Sequence, residues 1–342
     1  MQKAKYFFGY LMITSVFLSC KKNSSYDIVG EPEVKFFMNN TDFGNTPDNS
    51  IGYDVINIPD AAGSGLQNLF STFPDIIKLP VFATKPVSDN VTIAAELNNS
   101  LIDEYNAAHN TNYVAFPDNV LDADDLIARI AAGSTTSDDS IAISTDLSAL
   151  NTLTEESYMA PIELTSVSNP SLGEITSSTT GQVAYIIADV EQRIIEYNAD
   201  PADAMGSLIN PRSSWDVTFT PAPSITGDIL DGSTSTYTRW NESPGQVDVN
   251  MQTTDDVTGI RLYTTNSSSR RPTQVEVYLS EDGINYDHVG SPEQDDLTFS
   301  SGNNYILFYK AVPAKYIRLK LHYSSSGNSQ NRRLAEFDVY AN

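Results

Sequence analysis

From residue 34 onward the chain is chopped into short segments by clusters of Gly, Pro, Asn, Asp and Ser, and this punctuation limits what it can become. Residues 34–38, 53–58, 76–84, 90–97, 126–130, 140–144, 159–167 and 182–190 are apolar or alternate between apolar and polar. Period-two alternation belongs to half-buried strands. Between them lie turn-rich stretches at 133–139, 168–173 and 177–181. Many short strands separated by such turns predict a β-sandwich. One stretch breaks the rule. Leu101, Ile102, Tyr105 and Ala108 fall at helical spacing behind Asn99 or Ser100, so a short helix is expected over 99–109. The pattern of strands resumes at 215–220, 246–251, 259–264, 274–280, 305–310, 316–322 and 335–340 with no useful helical periodicity. A second antiparallel sandwich or jelly roll fits this stretch.

A length of 342 residues suits two domains. The charge balance divides the chain in the same way. Residues 26–200 hold 27 Asp/Glu against 5 Lys/Arg, a net −22; residues 201–342 hold 17 against 11, a net −6. Residues 191–211 carry Pro201, Pro211 and several small residues, and read as a linker or a packed connecting segment. A net charge of −24 disfavours nucleic acid, whose binding depends on neutralising phosphates with Lys and Arg. The only histidines are His109, His288 and His322, with no ligand-like spacing, which argues against zinc.

The N-terminus starts with Lys3 and Lys5, followed by an apolar run over 6–18, too short for the roughly 20 residues a bilayer span needs. It ends in Val16-Phe17-Leu18-Ser19-Cys20, which resembles a bacterial lipobox. The resemblance implies a signal peptide over 1–19, diacylglyceryl transfer to Cys20, and a lipidated tether over 20–33. Lys21 rather than aspartate follows the cysteine, which implies sorting to the outer membrane. Cys20 is the only cysteine, so no intrachain disulfide can form.

Residues 34–190 resemble the domain of unknown function of family 1735, found in Bacteroidota lipoproteins. The residues that carry the likeness are Ile102-Asp103-Glu104-Tyr105-Asn106, Thr111-Asn112-Tyr113, Phe116-Pro117, Ile130-Ala131-Ala132-Gly133, Asp146-Leu147 and Tyr158-Met159-Ala160-Pro161-Ile162. The resemblance implies an immunoglobulin-like β-sandwich with one short helix, encoded near glycan-uptake systems.

Residues 212–342 contain Ile229-Leu230-Asp231-Gly232, Thr236, Trp240, Gly259-Ile260-Arg261-Leu262, Arg271-Pro272 and a run from Val275 to Tyr286. They close with Ala314-Lys315-Tyr316-Ile317-Arg318-Leu319 and Leu334-Ala335-Glu336-Phe337-Asp338-Val339-Tyr340. In this order they resemble the coagulation factor 5/8 type C (discoidin) domain and the family 32 carbohydrate-binding modules. That implies a discoidin-like jelly roll, a structural calcium and a glycan ligand. The expected calcium ligands are the side chains of Asp231, Thr236 and Glu336 with carbonyls near Ser233 and Ala335, although Ser233 stands where the family often has an acid. Asp231-Gly232 is equally readable as a plain turn. The expected glycan contacts are Arg239 and Trp240 in one loop, Asn266, Arg270 and Arg271 in a second, and Tyr323, Asn328 and Asn331 in a third. Sugar recognition asks for an aromatic face and convergent polar groups.

No nucleophile elbow, P-loop or zinc-protease motif is present, and the Asp pairs fall in turn-like stretches. The expectation is therefore a non-catalytic, all-β surface lipoprotein that binds a polysaccharide or glycoprotein glycan. It would be lipid-anchored in the outer membrane and accessory to a glycan-uptake complex. An adhesive protein that holds a protein partner is the alternative, and a divergent hydrolase a weaker one.

Overall fold

The computed structural model describes residues 33–39, 49–60, 65–265, 268–324 and 332–342. It is all-β with little helix. The N-terminal half builds a seven-stranded sheet in the order Leu66–Ser71, Ser50–Pro59, Val183–Gln192, Ser157–Val167, Val91–Leu97, Ile127–Ile130, with Val114–Ala115 added beside Ser157–Val167. Two three-stranded sheets complete the sandwich around one apolar cluster that includes Phe36, Leu79, Ile93, Ile143, Leu150 and Ile186.

Residues 76–84, expected as one strand, form two. Ile76–Leu79 pairs with Ile141–Thr145, and Val81–Ala83 pairs with Lys35–Met38 in another sheet. Pro80 stands between them and has no N–H to give to a ladder, so the chain changes sheets there. The expected helix spans Leu101–His109, with Asp103 and Glu104 in its first turn, where the helix dipole favours negative charge, and Asn110 in the left-handed conformation at its end. Its Ile102 and Tyr105 dock on Met159 and Ile187.

The C-terminal half has a nine-stranded sheet, in which Gly245–Tyr263 and Asn303–His322 are paired along most of their length. Each was expected as two separate strands. Register shifts between Asn250 and Asp255, and between Val257 and Gly259, bend the first strand, so its two ends serve different parts of the sheet without a break. The apolar cluster of this half runs from Ile195 to Val339 and includes Trp240, Val277, Phe308 and Phe337. Residues 191–211 are not a free linker. Ile195–Glu196 pairs with Phe308 and Leu307, Ser207–Leu208 pairs with Ala341 and Tyr340, and Ile195 is buried. The apolar Ile194 and Ile195 draw this segment onto the sheet. No described helix is long and apolar enough to cross a membrane.

Candidate functional site

Two groups of residues meet at one end of the C-terminal sandwich. The first is built on the loop that follows Ile229. Gly232 takes φ +76°, a left-handed turn that glycine adopts without strain. The turn folds Asp231 back on its own loop. One carboxylate oxygen accepts from Ser233 N at 2.7 Å, the other from Thr236 Oγ1 at 2.8 Å. Thr236 Oγ1 also lies 3.1 Å from the Ser233 carbonyl and 3.4 Å from that of Asp228. A hydroxyl has one proton. Three acceptor oxygens around it are more than that proton can serve.

Glu336 comes to the same place from the last strand, Glu336–Ala341, and is buried. Its Oε2 is 3.2 Å from Arg212 Nη1, which also reaches Asp338 Oδ1 at 2.8 Å. Its Oε1 is buried with no hydrogen-bond partner. Burial pushes the Glu336 carboxyl up to about 7, helped by the nearby Asp231 and Asp338 carboxyls, against the pull of Arg212. Two carboxyl groups that face each other stay together only with a proton or a cation between them. Ala335 adjoins the cluster; its N–H donates to the Tyr263 carbonyl at 2.8 Å.

The second group is a short ribbon in which Thr238 pairs with Leu334 and Arg239 with Arg333. Alternation along the strand buries Thr238 and Trp240 and leaves Tyr237 and Arg239 partly exposed. The Thr238 hydroxyl donates to the Gly227 carbonyl at 2.9 Å, and Arg239 Nε donates to Ser224 Oγ at 3.2 Å. The Arg333 guanidinium lies over the Tyr237 ring, 4.3 Å from its centre. Arg332 Nη1 bonds the Asn241 carbonyl, which ties the ribbon to the loop before Gly245.

Residues 217–335 match the F5/8 type C domain family. A second family, described as an N-terminal domain, matches residues 66–171. No curated protein matches the chain. Among solved structures, a two-domain protein of unknown function from Bacteroides fragilis NCTC 9343 is similar over 90% of this chain and 94% of its own, at 14% identity and TM-score 0.51. A Clostridium perfringens CBM32 module in complex with GalNAc-β-1,3-galactose covers 40% of this chain and 100% of its own, at 22% identity and TM-score 0.32. The family 32 module of C. perfringens NanJ, in complex with galactose, covers 38% and 96%, at 18% identity and TM-score 0.32.

Within the F5/8 type C region the described residues expected to touch glycan fall into three sets. Trp240 is not at the surface: it is fully buried, 5.8 Å from Phe219 in an edge-to-face pair. Tyr323 is 8% exposed, its hydroxyl points to the Arg333 carbonyl at 3.4 Å, and burial pushes its phenol far up. Neither ring offers a face to a sugar. Arg271 braces its own loops, with Nε on Asn304 Oδ1 at 2.9 Å, Nη2 on the Gln294 and Leu297 carbonyls at 2.7 and 3.0 Å, and its guanidinium over Phe299. Arg239 and Arg270 stay partly exposed, Arg239 on the ribbon and Arg270 with Nη1 on Thr265 Oγ1 at 2.8 Å. Asn266, Asn328, Asn331 and Cys20 lie outside the described residues. Sequence reasoning missed Tyr237, Arg332, Arg333 and Arg212. The adjacent arginines at 332–333 were a visible signal. That Tyr237, and not Trp240, faces outward depends on how the ribbon pairs.

Proposed function

We propose that the C-terminal sandwich is a non-catalytic carbohydrate-binding module. Its ligand surface is formed by Tyr237, Arg239, Arg270 and the Arg332–Arg333 pair. The observation that carries this reading is the match of residues 217–335 to the F5/8 type C domain, together with an aromatic ring and arginine forks on the outward face of one ribbon. Arginine offers a planar set of donors to paired sugar oxygens.

The residues around Asp231 fit a structural calcium. Calcium takes six to eight oxygens, and carbonyls and hydroxyls serve as well as carboxylates. Among the described residues no three Asp, Glu, His or Cys side chains converge on one metal position. Here Asp231 and Glu336 would supply the charge, with the Thr236 hydroxyl and the Asp228 and Ser233 carbonyls beside them. The unpartnered buried Oε1 of Glu336 supports the fit. The ion would lie between the two carboxyl groups and tie the loop to the last strand.

The wider setting follows the N-terminal motif: lipid attachment at Cys20, outer-membrane display and service to a glycan-uptake system. The test is a polysaccharide panel probed with the chain from Lys21 onward, made without lipid. Saturable binding to at least one glycan is expected, and its loss in Arg239→Gln would place it on the ribbon. The rival, an adhesive protein that holds a protein partner, has its own observation. Leu69 and Phe70 are about half exposed on Leu66–Ser71, at the edge of the seven-stranded sheet. A panel with no binding glycan would favour that rival.

A further inference from the structure

The C-terminal half carries more acidic than basic residues, 17 against 11. Five of the 11 basic residues are nevertheless gathered at Arg239, Arg270, Arg271, Arg332 and Arg333. The fold brings their segments together. Arg239 and Arg333 are direct cross-strand partners, Trp240 N donates to the Arg332 carbonyl at 3.1 Å, and Ala335 N donates to the Tyr263 carbonyl at 2.8 Å. The stretch that carries Arg270 and Arg271 therefore leaves its strand beside the ribbon.

Like charges directly opposite each other on paired strands are unfavourable. Elsewhere in this half four of the six cations lie on carboxylates: Arg212 on Glu336 and Asp338, Arg261 on Asp338, Arg318 on Asp248 and Lys320 on Glu276. At the loop end the hydrogen-bond partners differ in kind. Arg270 bonds the Thr265 hydroxyl, Arg271 an amide and two carbonyls, and Arg332 the Asn241 carbonyl. The Nε atoms of Arg270 and Arg332 are buried without a partner among the described residues. Neutral oxygens orient a guanidinium and leave its charge in place. In 237–242, 268–271 and 332–334 the only carboxylate is Glu242, and from outside these segments the Asp295 charge acts on Arg271. A chain of net −24 that concentrates positive charge at its ligand surface is built to receive an anion.

We infer that this surface prefers an acidic glycan, one that carries carboxylate or sulfate groups, over a neutral one. The inference rests on the glycan reading above. Arginine pairs with either anion through two parallel N–H···O bonds.

The test measures affinity for charged and neutral forms of one backbone: polygalacturonate against its full methyl ester, and a sulfated galactan against the desulfated polymer. Charge-assisted bonds should make the acidic member of at least one pair bind about tenfold tighter. Raising salt from about 50 to about 300 mM should erode that difference. The pair that responds identifies carboxylate or sulfate. Arg239→Gln combined with Arg333→Gln should remove the preference while the melting temperature holds. Equal affinity for both members of each pair overturns this inference and leaves the glycan reading intact, as does a preference that the double variant keeps. Failure to bind any polymer, in these pairs or in the broad panel, overturns both.

Discussion

The Trp240 indole lies against Gly245 so closely that a β-carbon at 245 would sit 2.5 Å from the ring. The contact places Trp240 in the core, since a ring covered by backbone on one side and by Phe219 on another has no face for a ligand. Gly245→Ala should therefore cost about 1–3 kcal/mol, the usual range for overpacking a filled core. Trp240→Ala should cost about 3–5 kcal/mol by leaving a cavity. Trp240→Phe, if folded at the assay temperature, should keep glycan affinity within about twofold, below the 1.4 kcal/mol that a tenfold change represents. Denaturant melts and binding isotherms check these values. A folded Trp240→Phe that binds no glycan would contradict a core role.

Calcium should stabilise the fold. A ligand that binds only the native state adds about 2.7 kcal/mol at one hundred times its dissociation constant. The chain should melt lower in chelator and recover when calcium is added, and Glu336→Gln should blunt the response, because an amide is a poorer ligand for a hard cation. A melting temperature that neither chelator nor calcium moves would remove the ion from the account. Ser233, in place of the acid that related loops often carry, would then be the first residue to substitute with Asp.

Glu276 gives the sheet a pH-dependent component. Burial alone would raise its carboxyl, but hydrogen bonds from the Tyr278 hydroxyl, Lys320 at 3.0 Å and His322 at 2.6 Å outweigh that and bring it down to about 2. An unfolded glutamate titrates near 4.5. Between those values the unfolded chain holds the proton and the native state does not, so stability is full above about pH 4.5 and falls as pH drops towards 2. The side chain is 19% exposed, and after screening the contribution is about 1–3 kcal/mol. Glu276→Gln should lower stability at neutral pH by that amount and flatten the acid limb of the melting curve. Parallel wild-type and variant curves from pH 6 to pH 2.5 would show that the contacts contribute nothing.

Lipid attachment needs the sulfur of Cys20, because a serine hydroxyl is not a thiolate and does not take the diacylglyceryl group under the same conditions. Cys20→Ser should abolish labelling by a fatty-acid probe and move the protein out of the membrane fraction. Equal labelling of the variant would end the lipoprotein reading.

Much of the fold was legible because strand signals are local. Alternation in 90–97 and 182–190 and the helical spacing of Ile102 and Tyr105 correspond to strands Val91–Leu97 and Val183–Gln192 and to helix Leu101–His109. The strand Leu66–Ser71 escaped because Gln67, Asn68 and Ser71 carry no apolar alternation; its pairing with Ser50–Pro59 holds it. The continuity of Gly245–Tyr263 escaped because Asp255 and Asp256 look like a turn. They are in fact kept extended by pairing with Ala314 and Pro313.

What the sequence determined by itself is whatever depends on near neighbours: the all-β class, the helix Leu101–His109, and the Asp231-Gly232 turn that delivers Asp231 to Thr236 five residues on. Only the tertiary structure decided which side of each strand faces the core. Thr238 and Trp240 share a side, as Tyr237 and Arg239 do, by the period of any strand. Which pair is buried depends on the ribbon's register with Arg333 and Leu334, far along the chain, and on Gly245 leaving room for the indole. Those contacts form only when distant segments meet. For that reason the sequence could indicate the loop while the fold chose which aromatic ring and which arginines it exposes.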